Sequence, residues 1–68
     1  MDPGKAVEWY RLAAEQGDAG AQADLGNMFA AGEGVPRDAA KAVEWWQRGA
    51  EGGDPQAQAS LGVAYAKG

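Results

Sequence analysis

The side chains able to do chemistry in this 68-residue sequence are few, and their types exclude most reactions. There is no His and no Cys, so the commonest general base, the commonest metal ligand and any thiolate or disulfide are missing. The only side-chain hydroxyls are Tyr10, Ser60 and Tyr65, with no imidazole to activate them as nucleophiles. Glu8, Glu15, Glu44 and Glu51 could pair for acid–base work, but helical spacing places them on polar backs, where carboxylates stay solvated and ionised. Gly32-Glu33-Gly34 has the composition of a phosphate-cradling loop. It follows a helical segment rather than a strand, and Glu33 would repel an anion, so it reads as a turn. The aromatic pairs Trp9-Tyr10 and Trp45-Trp46 could stack on a sugar, a base or a Pro ring, yet they fall within apolar helix faces, and core packing is the expectation. No catalytic, cofactor-binding or metal-ligating residue is assigned, and the chain reads as a non-enzyme.

Charge and hydropathy narrow the partners. The formal net charge is −4, with acids and bases interleaved, whereas a phosphate-binding surface needs clustered Lys and Arg. Nucleic acid is therefore not an expected partner. Met1 leads into charged and helix-capping residues, with no apolar run of signal-peptide or membrane-spanning length, so no membrane association is expected. The lack of Cys leaves the compartment open, with cytoplasm as the default.

What positions these residues is a tandem repeat. Lys5-Ala6-Val7-Glu8-Trp9 returns as Lys41-Ala42-Val43-Glu44-Trp45, an offset of 36 residues. At the same offset Ala21-Gln22-Ala23 and Leu25-Gly26 return as Ala57-Gln58-Ala59 and Leu61-Gly62. About half of the aligned positions are identical, against roughly 7% expected from residue usage, so the chain is a duplication.

Punctuation cuts it into four helices. Asp2, Asp18, Asp38 and Asp54 stand at N-cap positions, and Pro3 and Pro55 at first helical positions. Gly17, Gly32 and Gly53 stand where left-handed C-terminal caps belong. On a helical wheel the segment after Asp38 collects Ala39, Ala42, Val43, Trp45, Trp46, Gly49 and Ala50 on an arc of about 160°, and the first segment repeats this with Trp9 and Tyr10. Leu12 alone puts an apolar residue on the solvated back. The segments after Asp18 and Asp54 spread small residues around the circumference, so they read as inner helices. Gly26 and Gly62 would then receive a neighbouring backbone or aromatic ring.

The pattern Ala21-x-x-x-Leu25-Gly26-x-x-Phe29-x-x-Gly32-x-Gly34-Val35-x-x-Asp38-x-x-Lys41-Ala42-x-x-Trp45-x-x-x-Gly49-Ala50-x-x-Gly53 resembles the Sel-one-like repeat (SLR), a relative of the tetratricopeptide repeat. The resemblance implies an all-α, α/α solenoid of antiparallel helix hairpins in right-handed superhelical stacking, whose concave surface serves as a protein–protein interaction scaffold. In family phase, the single helical-repeat domain 1–68 divides into the second half of one repeat (1–17), a full repeat (18–53) and the first half of a further repeat (54–68). It reads as a slice of a longer array.

Two surfaces follow. Inner-helix positions that differ between the repeats, Asp24, Asn27, Ala31, Ser60, Val63 and Lys67, face the expected concavity and are the candidate sites for a protein or peptide partner. The terminal helices each lack a neighbour, so Trp9 and Leu12 on the first, and Leu61 and Tyr65 on the last, are candidates for self-association into a homo-oligomer by end-to-end stacking or helix swapping.

Overall fold

Helix boundaries fall where short polar side chains can satisfy free backbone N–H groups. A computed structural model describes residues 3–67 of the chain, and the side chains of residues 4–66. Four helices of equal length result: α1 (Pro3–Glu15), α2 (Ala19–Ala31), α3 (Ala39–Glu51) and α4 (Pro55–Lys67). Asp18, Asp38 and Asp54 each accept a hydrogen bond from the N–H three residues on, at Ala21, Lys41 and Ala57, over 3.1, 3.1 and 2.9 Å. These are the N-caps that the sequence requires. The cap expected at Asp2 lies outside the described residues.

The helices stop at repeat-equivalent turns. Gly17 and Gly53 take φ of 95° and 92°, left-handed values that admit Gly far more readily than other residues. That conformation lets Asp18 N–H reach Ala13 O at 3.1 Å and Asp54 N–H reach Gly49 O at 3.0 Å, pairing carbonyls the helix ends would leave free. Gly32 closes α2 in the same way, its own N–H and that of Glu33 both donating to Met28 O. The loop to α3 is then pinned by Asp38 N–H on Phe29 O at 3.0 Å, and Val35 packs back on the core.

Packing follows the solenoid order. α1 contacts α2, α2 contacts α3, α3 contacts α4, and α2 also meets α4. α2 is therefore the central element, and its small residues let it be approached from several sides, as an inner helix requires. The chain is an all-α solenoid of antiparallel helix hairpins. Its Cα envelope measures 32 × 23 × 16 Å, so thin a slab that Leu25 is the one large side chain wholly removed from solvent among the described residues. Val7, Ala14, Ala21 and Leu25 form the core cluster, with Ala13, Met28, Val35 and Trp45 packed against it.

The expectation that both aromatic pairs are core residues is half corrected. Trp45 packs on the core cluster, and Trp46 lies half-buried against Gly26, where a β-carbon would come within 2.9 Å of the indole Cγ. Trp9, in contrast, is 73% exposed, and Tyr10 is also exposed. The apolar arc of α1 is real, but α2 covers only the part that carries Val7 and Ala14. Gly62 differs from Gly26 in the same manner: nothing lies within 4 Å of its β-carbon position.

Candidate functional site

Beside the inner helices the repeat builds two equivalent notches. The first, about 320 Å³, is lined by Tyr10 of α1, by Asp24, Asn27, Met28 and Ala31 of α2, and by Glu33. The second, about 520 Å³, is lined by Trp46 of α3, by Ala59, Ser60, Val63 and Ala64 of α4, and by Arg37, Ala39 and Gln56. A shift of 36 residues carries Tyr10, Asp24, Asn27 and Met28 onto Trp46, Ser60, Val63 and Ala64. One device, an aromatic ring of one helix set against the next inner helix, thus appears twice.

The differing residues give the notches different chemistry. The first carries two carboxylates, Asp24 and Glu33, beside a phenol and a thioether. The second is more apolar, with Trp46, Val63 and three alanines in its lining beside Ser60, Gln56 and the Arg37 guanidinium. Asp24 sits half-buried, and its carboxyl is held above the ordinary carboxylate range, first by desolvation and then by the like charges of Asp54 and Asp18.

The expected concave residues therefore separate into groups. Asp24, Asn27 and Ala31 come together in the first notch, and Ser60 and Val63 in the second. The side chain of Lys67 lies outside the described residues. Asn27 also does structural work, since its Oδ1 accepts the Trp46 indole N–H at 3.2 Å and so ties the wall of one notch to the ring of the other. Trp9 and Leu12 lie together with Lys5 and Glu8 on the outer face of α1. On α4 Tyr65 is exposed and Leu61 half-buried. The Tyr65 hydroxyl oxygen accepts from Gln47 Nε2 at 2.8 Å.

Two features escaped the sequence reading. Gln22 is a buried polar residue whose Nε2 donates to Ala14 O at 2.9 Å, fastening the end of α1 to α2, and Gln58 repeats the contact to Ala50 O at 3.4 Å. Their signal was identical placement in the two Ala-Gln-Ala segments. The second is a cavity of about 340 Å³ where Arg11 of α1 converges with Lys41 and Arg48 of α3 beside Glu15 and Glu44. Lys41 Nζ lies 5.5 Å from the Phe29 ring centroid and the Arg48 guanidinium 4.9 Å from that of Trp45, within cation–π range. The helix backs that read as evenly interleaved charge thus hold a mixed cluster over aromatic faces.

Glu8, Glu15, Glu44 and Glu51 are all exposed. No group of three or more Asp or Glu among the described residues could hold a metal ion. No helix of the described residues is long and apolar enough to cross a membrane.

Comparison with known proteins agrees with this geometry. The Sel1 repeat family pattern matches residues 2–18, 19–54 and 55–68. The crystal structure of a Sel1 repeat protein from Oxalobacter formigenes superposes with a TM-score of 0.83 at 47% sequence identity, over 91% of this chain. The chain spans 25% of that protein's length. No protein of curated function matches the sequence. Sel1 repeats are generally helical repeats of protein interaction, and by pattern, fold and superposition this chain belongs to the Sel1 repeat family.

Proposed function

We propose that the chain is a protein–protein interaction scaffold that binds an extended segment of a partner along the two inner-helix notches. The observation that carries this reading is their equivalence: a repeated frame of aromatic and inner helix presents different side chains at each step. A rigid frame with variable contact residues is the economical way for a solenoid to read successive side chains of a ligand.

The two linings suit different side chains. Asp24 and Glu33 favour a Lys or Arg, whose aliphatic stem would lie on Met28 and Tyr10 while its charge relieves the carboxylates. Trp46, Val63 and Ala64 favour an apolar side chain, and Arg37 an acidic group next to it. Peptides selected from a random displayed library on the folded chain are expected to shift the amide resonances of Asp24, Asn27, Ser60 and Val63 together. Shifts confined to the outer faces of α1 and α3 would reject the notches as the site.

A further inference from the structure

The repeat allows each contact buried between α2 and α3 to be examined at the equivalent positions of α4 and α1, where the same surfaces stand open. Gly26 lies under the Trp46 ring, whereas Gly62 has an empty β-carbon position. Phe29 is 7% exposed and its equivalent Tyr65 is 61% exposed. Ala23 is buried and Ala59 exposed. On the other partner, Trp45 packs on the core while Trp9 stands in solvent, and Tyr10 occupies the place of Trp46. α4 thus presents the α2 half of the hairpin interface, and α1 presents the α3 half.

We propose that the chain self-associates head to tail, α4 of one copy docking on α1 of the next in the register of the α2–α3 pair. In this register Gly62 receives the Tyr10 ring as Gly26 receives Trp46, and Tyr65 lies beside Lys5 as Phe29 lies beside Lys41. Leu12, 58% exposed where α3 carries Arg48, adds apolar surface next to Trp9. A second copy is the occupant because a single molecule carries both halves of an interface whose complete form it already contains. The contact is heterologous, so it builds rings or filaments rather than a two-fold dimer. On the α4 side it is separable from peptide recognition, since Gly62 and Tyr65 line neither notch, whereas on the α1 side Tyr10 is shared with the first notch.

The test is sedimentation equilibrium of the 68-residue chain over a concentration series, together with two single variants. The parent is expected to exceed its 7.0 kDa monomer mass increasingly as concentration rises. Gly62→Gln is expected to stay at 7.0 kDa with helicity and thermal midpoint at least as high as the parent's, because it removes a Gly from a helix interior while blocking Tyr10. Trp9→Arg blocks the other face and is expected to be monomeric too, while an equimolar mixture of the two variants, each with one intact face, forms a 1:1 complex. A parent that stays monomeric throughout, a Gly62→Gln variant that associates like the parent, or a mixture that forms no complex overturns the proposal.

Discussion

The Trp46 indole occupies the space that a β-carbon on Gly26 would need, whereas at Gly62, the repeat-equivalent position, that space is empty. The same substitution therefore carries opposite signs at the two sites. Gly26→Ala forces the ring aside and is expected to destabilise the fold by about 1–3 kcal/mol despite the better helix propensity of Ala. Gly62→Ala, measured where the chain is monomeric, is expected to stabilise it by up to about 1 kcal/mol. Urea unfolding of both variants, followed by circular dichroism, checks the pair.

Gln22 is buried and donates to a carbonyl at the end of α1, while Gln58 makes a longer, exposed version of that bond. Removing the donor at position 22 takes away the bond that crosses from α2 to α1 and leaves Ala14 O with the Gly17 N–H at 3.0 Å alone. Gln22→Ala is accordingly expected to cost about 1 kcal/mol, and Gln58→Ala, whose bond is longer and exposed, less than about 0.5 kcal/mol. Parallel thermal melts would show the midpoint falling well below the parent's for the first variant and close to it for the second.

Trp9 and Trp45 occupy equivalent positions but differ in neighbours. Trp45 packs on the core cluster and carries Arg48 on its face, whereas Trp9 is 73% exposed. Truncating Trp45 to Ala is expected to cost about 3 kcal/mol, toward the lower end for a large aromatic because the ring is only half-buried. Trp9→Ala is expected to lie within about 0.5 kcal/mol of the parent. Chemical denaturation of the two variants separates these outcomes.

Asp24 carries a carboxyl whose pKa is raised by desolvation, with Asp54 and Asp18 adding to it. Between the unfolded and the raised folded value the native state binds more protons, so this group favours folding as pH falls through that interval and opposes it above. Asp24→Asn is thus expected to melt above the parent at neutral pH, with the difference closing as pH drops below the raised value. Melting curves recorded from neutral to acid pH for both proteins test the sign.

Much of this architecture is written in local chemistry. Asp18, Asp38 and Asp54 mark helix starts because a carboxylate at an N-cap acts within three residues. Gly17, Gly32 and Gly53 mark helix ends because their backbone conformation is a local requirement too. The fate of Trp9 was not legible, since a helical wheel shows which face is apolar and not whether a neighbour covers it. The same limit applies to the notches. A wheel of α2 groups Asp24, Asn27 and Ala31, but the rings of Tyr10 and Trp46, which divide the surface in two, arrive from other helices. Nor does it show that Asn27 binds the Trp46 indole. Gln22 was missed because a glutamine on a wheel reads as solvent-facing until the carbonyl it reaches is known.

Placing an Arg in each notch tests their role as the recognition surface most directly. Asp24 and Val63 are the positions to change, because Asn27 holds Trp46 and its loss would confuse binding with stability. Titration calorimetry with a library-selected peptide should show the Asp24→Arg, Val63→Arg double variant binding at least about 10-fold more weakly, a loss of about 1.4 kcal/mol, with a cooperative melt retained. Parent-like affinity in that folded double variant would contradict the account.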